Sequence, residues 1–238
     1  MLENQKNETY KIDKVLEYEY NVDEKPLTNF PDKLIKHLIK KYSLYGNVLD
    51  VMCGRGEHAQ AFYNNNLDAY CLDISSEAAF IYEKKEERLS VCDSGKDIYP
   101  YDDNTFDVTF CKSGIEHVNP DHLVSEMYRV TKPGGKIIIL TLDWWYTYRM
   151  HYIDHTHGYG VPWMKHSLKL ILQAYGFKNI IVENIYYLPF TWKFKPFRFI
   201  CWFIRNLLPY PYIDNFTNPI WKIVRFSNEI QVIGIGQK

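Results

Sequence analysis

Short apolar runs alternate with helical segments through most of this chain. Five such runs follow one another, at 48–51, 69–73, 89–92, 106–111 and 136–142. Several of the segments between them carry apolar residues at helical spacing. Continuous apolar strands separated by helices are typical of a parallel sheet that is covered on both faces. The pattern predicts one α/β domain, with later strands at 178–183 and 229–236.

Length and charge narrow the class of protein further. A chain of 238 residues suits one large α/β domain with an elaboration. Its 28 Lys and Arg nearly cancel its 29 Asp and Glu, so nothing argues for nucleic acid as a partner. The polar N-terminus predicts no signal peptide, and no apolar run reaches the ~20 residues of a membrane span. Five cysteines without a CxxC pair indicate buried, reduced thiols, and we expect a soluble, cytoplasmic protein.

The first strand is followed by a glycine turn, and two later strands end in acids. Gly54 and Gly56 allow the backbone to approach a ligand that a Cβ atom would exclude. Asp73 ends the second strand, where a carboxylate can accept hydrogen bonds from both hydroxyls of a ribose. Asp93 follows the third strand, placed to contact an adenine edge, and Asp50 precedes the glycines. Because these acids and the glycine loop all lie at the ends of successive strands, they predict a nucleotide site at the carboxyl edge of the sheet.

Four segments in this order resemble the motifs of class I S-adenosylmethionine-dependent methyltransferases. They are VLDVMCGRGEH, AYCLDIS, VCDSGKDIYPYDDNTFDVTFCKSGIEHV and VSEMYRVTKPGGKIIIL, within about residues 45–142. The chain is most similar to the type 11-like, small-molecule group of these enzymes. The resemblance implies a Rossmann-like sheet of seven mostly parallel strands with helices on both faces and an antiparallel last strand. It also implies S-adenosyl-L-methionine as the cofactor.

The same resemblance assigns roles to individual residues. Asp50 and Gly54 would hold the methionine portion of the cofactor, Asp73 its ribose, and Asp93 with Ser94 its adenine. The remaining predicted cofactor-binding residues are Met52, Cys53, Gly56, His58, Ile74, Lys112 and Ser113. Met52 departs from the family pattern, which usually has its first glycine at that position.

A dinucleotide-binding oxidoreductase is the alternative for this loop. Residues 54–59 also satisfy G-x-G-x-x-A, with Asp73 as the ribose acid. The carboxylate of Asp50 would not help a loop to bind an anionic pyrophosphate. The sequence also predicts no second domain for a substrate. The methyltransferase interpretation is therefore preferred.

Histidines are the candidate general bases. His117 follows the fourth strand, and His155 and His157 lie in a D-H-T-H stretch at 154–157. That stretch resembles one in bacterial superfamily members, some of which act on surface-polysaccharide sugars. A zinc site at the His-x-His pair is an alternative, but we predict no metal. The predicted reaction is O-methylation of a sugar-like or other small polar acceptor; an aromatic or quinone-type acceptor is the alternative.

An aromatic segment at 187–226 interrupts the strand pattern before the last strand. We expect a helical lead-in at 1–45, a cofactor-binding domain at 46–186 with 227–238, and a helical cap at 187–226. Within it, 193–208 is strongly apolar, with Lys195, Arg198 and Arg205 on a narrow stripe. A lid over the acceptor is the first interpretation. The alternatives for this segment are a subunit interface and peripheral contact with the inner membrane surface. For the whole protein, the alternative is a binding module without catalysis. The protein is expected to be either a monomer or a homodimer.

Overall fold

The computed structural model describes residues 27–147, 161–207 and 219–238, and these form one seven-stranded sheet flanked by helices. The strand order is β3-β2-β1-β4-β5-β7-β6. Strands β1 to β5 are parallel neighbours, and β7 runs antiparallel to both β5 and β6. The predicted Rossmann-like sheet with its antiparallel last strand is confirmed.

The strands are β1 (Asn47–Val51), β2 (Asp68–Asp73), β3 (Leu89–Val91), β4 (Phe106–Lys112), β5 (Thr131–Leu142), β6 (Lys178–Tyr186) and β7 (Ile230–Gln237). The described helices are α1 (Phe30–Tyr42), α2 (Glu57–Tyr63), α3 (Lys85–Arg88), α4 (Pro120–Val130), α5 (Trp144–Thr147), α6 (Lys165–Ala174), α7 (Phe190–Lys193), α8 (Phe197–Leu207) and α9 (Pro219–Asn228).

The central strands are buried on both faces, which explains their continuous apolar sequence. One core cluster packs α1 and α2 against one face of the sheet, with Leu34 and Phe62 fully buried. The other packs α4 and α6 against the opposite face, with Met127 and Leu172 fully buried. All five cysteines are buried and free, as predicted.

The start of β5 differs from the sequence prediction. The sequence predicts that Pro133-Gly134-Gly135 stops the preceding helix and that the strand begins at Lys136. The helix instead ends at Val130, and β5 begins at Thr131 with an irregular register against β4. Gly134 has a φ of 81°, a conformation that glycine adopts without steric cost, so the chain bends there and continues as a strand.

In its described parts, the aromatic segment between β6 and β7 forms three helices, α7, α8 and α9, with short non-helical stretches at 187–189 and 194–196. In the described parts of the chain, no helix is both long and apolar enough to cross a membrane.

Candidate functional site

The glycine loop after β1 and the end of β2 are joined by a hydrogen bond. The backbone N–H of Gly54 donates to Asp73 Oδ2 at 2.9 Å, and the N–H of Ser75 donates to Asp73 Oδ1 at 3.1 Å. The Asp73 side chain is almost fully buried. The fold therefore brings together two of the predicted cofactor-binding residues.

The two glycines of the loop differ in their surroundings. Gly54 has a φ of 52°, and a Cβ atom added there would meet no atom within 4 Å. Gly56 has a φ of 81°, and its Cβ atom would lie 2.8 Å from the backbone Cα atom of Ala79. Gly54 thus borders open space where a ligand can approach the backbone, whereas Gly56 is required by packing inside the protein.

Met52 adopts the conformation that the more common glycine would adopt. Its φ is 57°, and its backbone N–H donates to the carbonyl oxygen of Leu72 at 2.7 Å. A left-handed conformation is unfavourable for a residue with a Cβ atom, and the contacts around the loop hold it in place. Met52 therefore accepts a positive φ, the backbone region in which glycine is favoured.

Asp50 is buried at the end of β1 with one carboxylate oxygen unused. The residue is 2% exposed, and its Oδ2 atom finds no hydrogen-bond partner among the described residues. Burial is the main cause that raises the pKa of Asp50 to about 8, and the nearby negative charge of Asp73 adds to it. A buried acceptor without a donor costs free energy, so this oxygen is suited to a cationic or hydrogen-bond-donating ligand group.

The predicted adenine residues follow β3 at the same edge. Asp93 Oδ1 accepts a hydrogen bond from the N–H of Gly95 at 2.9 Å, and its Oδ2 atom lies 3.2 Å from Lys96 Nζ. The hydroxyl oxygen of Ser94 is buried and has no partner in the described chain. Ile74, after β2, exposes about half of its surface and is available to cover a flat ring.

Cys53 lies in the loop, and His58 lies in the first turn of α2, directly after it. Cys53 is buried beside Cys71, and that contact together with burial raises the pKa of its thiol. The His58 ring lies 5.5 Å from the ring of Phe110. Its Nε2 atom is buried and lacks a partner among the residues described here, and burial lowers its pKa below the usual range. Neither predicted role is tested by these contacts, and both stay predictions.

Lys112 and Ser113 end β4 at the centre of the sheet edge. The Lys112 ammonium donates to Ser113 Oγ at 3.4 Å and lies 5.7 Å from the ring centre of Tyr187. Burial lowers the pKa of Lys112 below its usual value, although the charges of Glu229 and Glu116 offset part of this effect. The lysine is therefore partly shielded from solvent.

Glu116 is a candidate site residue that the sequence patterns do not single out. It is 3% exposed, and Oε2 accepts a hydrogen bond from the hydroxyl of Thr141 at 2.8 Å. Its Oε1 atom is buried without a partner in the described ranges, and burial raises its pKa. The signal that could have found it is an acid directly before His117 in the loop after β4.

His117 lies in the same loop, half-buried, with its backbone N–H bonded to the carbonyl oxygen of Gly114 at 2.9 Å. His155 and His157 lie outside the described residues, so their predicted roles remain predictions. Within the described ranges, no group of three His, Cys, Asp or Glu side chains could hold a metal.

A cavity of about 270 Å³ lies at the opposite edge of the sheet, lined in part by Lys41, Tyr42 and Lys136. Lys41 is paired with Glu183, and Lys136 donates to the carbonyl oxygen of Tyr42. Because the glycine loop and the acids converge at the carboxyl ends of the strands, we do not assign this cavity to the reaction.

Comparisons with known proteins agree with this arrangement. A family model described as a methyltransferase domain matches residues 49–139. An uncharacterized protein of Methanocaldococcus jannaschii is 31% identical over 180 residues, which are 72% of this chain and 75% of the relative. The demethylmenaquinone methyltransferase of Renibacterium salmoninarum is 32% identical over 93 residues, 39% of each chain.

Solved structures show the same fold. A SAM-dependent methyltransferase from Archaeoglobus fulgidus aligns with a TM-score of 0.58 at 21% identity, covering 87% of this chain and 94% of that one. Phosphoethanolamine N-methyltransferase 2 of Haemonchus contortus, in complex with S-adenosyl-L-methionine, aligns with a TM-score of 0.57 at 22% identity, covering 86% of this chain and 52% of that one. The oxidoreductase alternative is set aside, because the family model describes a methyltransferase domain and the relative from Renibacterium salmoninarum is a methyltransferase. The chain belongs to the class I S-adenosylmethionine-dependent methyltransferases.

Proposed function

We propose that this enzyme transfers the methyl group of S-adenosylmethionine to a hydroxyl of a small-molecule acceptor at the carboxyl edge of its sheet. One observation carries the proposal: Asp50 Oδ2 and Ser94 Oγ, two buried polar atoms without partners in the described chain, lie at the carboxyl ends of β1 and β3. Between these strands in the sheet lies β2 with Asp73. Such atoms fit a ligand with several polar parts spread along the strand ends.

The residues present fit the cofactor. Asp50 Oδ2 would accept a hydrogen bond from the ammonium group of the cofactor. The open space at Gly54 would admit the part of the cofactor that contacts the backbone. Asp73 already accepts two backbone N–H groups, and because each carboxylate oxygen has a second lone pair, it can also accept from ribose hydroxyls. Ser94 and Asp93 would contact the adenine. When bound, the sulfonium of the cofactor supplies an activated methyl carbon.

The loop after β4 is proposed to serve the acceptor. His117 would take the proton of the acceptor hydroxyl as the oxygen bonds to the methyl carbon and the carbon–sulfur bond breaks. Glu116 Oε1 would accept a hydrogen bond from the acceptor and so orient it. A sugar hydroxyl or a similar polar group suits these two hydrogen-bonding side chains.

A quinone-type or other aromatic acceptor is the second candidate. Several relatives carry the name demethylmenaquinone methyltransferase, although the matches cover less than half of each. The ring of Tyr187, above Lys112, stacks between Phe30 at 4.9 Å and Phe226 at 5.9 Å. An aromatic wall of this kind supports a flat acceptor.

The domain division is proposed as predicted, with 46–186 and 227–238 as the catalytic unit and 187–226 as an elaboration. The lid interpretation requires the apolar sides of 193–208 to be covered. The described part of that segment instead leaves Trp202 and Phe203 about half exposed, so these two side chains do not support it.

Calorimetry with Asp73→Ala tests the cofactor assignment. The variant should bind S-adenosylmethionine at least ~1.5 kcal/mol more weakly, because charge-assisted hydrogen bonds to the ribose are lost. Asp102→Ala, which changes an exposed acid on the loop before β4, should bind normally. Turnover with sugar and with quinol acceptors then separates the two acceptor classes. Unchanged affinity of the Asp73 variant would contradict the proposed site.

A further inference from the structure

Helix α8 turns its polar face inward and its apolar face outward. Arg198 and Arg205 lie over the rings of Tyr186 and Tyr146, at 5.3 and 4.6 Å from the ring centres. Between them on the same helical face, Cys201 is buried. The two arginines of the polar stripe are thus packed on the body of the protein.

The opposite face of α8 is apolar and exposed. Phe199 is 66% exposed, Trp202 49%, Phe203 52% and Leu207 60%. A helix on the surface of a globular protein normally buries its apolar stripe, so this orientation is the reverse of the usual one. Single exposed apolar residues are common on proteins, but a contiguous set on one helix face indicates a binding surface.

The neighbouring helices also expose apolar side chains, and the rings of Phe190 and Phe194 contact Phe197 of α8. Phe190 of α7, Phe194 just after it, and Ile220 and Ile223 of α9 are also exposed. Half of the exposed large apolar side chains in the described chain lie between residues 190 and 223. We call the exposed apolar side chains of this stretch the aromatic face.

The charge around the aromatic face is one-sided. Residues 187–228 contain six of the 28 Lys and Arg of the chain but a single acid, Asp214, of the 29 Asp and Glu. Lys193, Lys195 and Lys222 are exposed. Because Arg198 and Arg205 pack inward and Arg225 pairs with Glu229, these three lysines supply the exposed positive charge beside the aromatic face. The rest of the chain carries a net negative charge.

We propose that the aromatic face docks this enzyme onto an anionic lipid bilayer. Exposed Trp, Phe and aliphatic side chains enter the boundary between headgroups and acyl chains, while lysines beside them attract anionic headgroups. The 11 residues of α8 extend about 16 Å, roughly half of the hydrocarbon thickness, so the helix is too short to span it. Because its apolar side chains line one face along its length, α8 would lie in the plane of the interface.

Charge decides between a bilayer and a second copy of the chain. In a symmetric dimer the same patch meets itself, so Lys193 and Lys195 would approach their own equivalents with few acids to compensate. A surface of anionic lipids supplies the opposite charge over the whole patch. The composition of the face therefore favours lipid as its occupant.

Docking through this face would bring the bilayer beside the carboxyl edge of the sheet. Tyr146, which anchors Arg205, follows β5, and Tyr186, which anchors Arg198, ends β6. An acceptor held in or at the membrane would then reach the site directly. This consequence rests on the proposed function, whereas docking itself does not.

Vesicle sedimentation of the full chain, without methyl donor or acceptor, tests the docking proposal. The wild type should sediment with vesicles of phosphatidylglycerol and phosphatidylcholine, and much less with phosphatidylcholine alone. Trp202→Ser combined with Phe203→Ser should lower the partition coefficient at least about tenfold, since two buried aromatic side chains are lost from the interface. Lys193→Gln with Lys195→Gln should weaken binding to the anionic vesicles and reduce its salt dependence.

Leu170→Ser is the matched control, because Leu170 is equally exposed but lies on α6, outside the aromatic face. It should sediment like the wild type. Absence of wild-type binding, or unchanged binding after the Trp202 and Phe203 changes, would overturn the proposal. A dimer that becomes a monomer in the double variant, with no vesicle binding by the wild type, would assign the face to a second copy instead. Equal binding to both vesicle types would remove the anionic lipid from the proposal. Normal S-adenosylmethionine affinity in the double variant separates this test from that of the proposed function.

Discussion

The backbone N–H of Gly54 donates a hydrogen bond to the carboxylate of Asp73 at 2.9 Å. This bond links the loop after β1 to the end of β2, which are the predicted contacts for the methionine portion and the ribose of the cofactor. Changes in either residue are therefore expected to affect both the shape of the loop and the binding of S-adenosylmethionine. Variants that alter only the open side of the loop separate the two effects.

Gly54→Ala should weaken cofactor binding more than it weakens the fold. The added Cβ atom meets no protein atom within 4 Å and would occupy the space proposed for the cofactor. The positive φ costs about 1 kcal/mol of stability for alanine. We expect a loss of affinity of at least about tenfold by calorimetry, alongside this small shift in chemical denaturation.

Gly134→Ala is the control for that experiment. Gly134 also has a positive φ and open space around its added Cβ atom, but it lies in β5 away from the proposed site. It should lose similar stability and keep its cofactor affinity. Equal affinities for both variants would contradict the assignment of Gly54 to the cofactor.

Cofactor binding should release protons near neutral pH. Burial and Asp73 raise the pKa of Asp50 to about 8, so its carboxyl is largely protonated below that pH in the free enzyme. A bound ammonium group favours the ionised form, and Asp50 must then lose its proton. Calorimetry at pH 7 in buffers of different ionisation enthalpy measures this release, and Asp50→Asn should remove it. Identical apparent enthalpies in all buffers would contradict the role of Asp50.

The same group gives the sign of a stability change with pH. Folded Asp50 holds its proton up to about pH 8, whereas its unfolded pKa is near 3.8. Between these values the folded state binds the extra proton, so the contribution of Asp50 falls as pH rises. The free energy of unfolding, measured with urea, should therefore decrease less between pH 5 and pH 8 for Asp50→Asn than for the wild type.

His117→Asn should lower turnover at least about 100-fold while leaving S-adenosylmethionine affinity within about twofold, as expected for loss of a general base. Glu116→Gln keeps the shape of the side chain but not its charge, and should raise the KM for the acceptor. His122→Asn is the control, because His122 lies on α4 rather than in the loop after β4, and its ring nitrogen bonds to the backbone carbonyl oxygen of Asp97. Loss of turnover in the Glu116 variant alone would make Glu116 the base.

The order of the elements and the place of the nucleotide site follow from local sequence. Strand and helix periods are visible over four to ten residues, and an acid at the end of an apolar run is placed at the carboxyl edge by chain direction alone. For this reason the sequence by itself indicates Asp50, Gly54 and Asp73 as site residues, and the fold brings Gly54 and Asp73 together.

Tertiary structure decided the features that depend on residues far apart in the chain. Periodicity cannot tell the open Gly54 from the packed Gly56, because the difference is the backbone of Ala79. Nor does it show that Glu116 is buried against Thr141. The apolar and polar stripes of α8 are visible in the sequence, but which one faces solvent depends on where Arg198 and Arg205 find aromatic rings. The period determines that a helix has two faces, and only the packing of the whole chain determines which face is left outside.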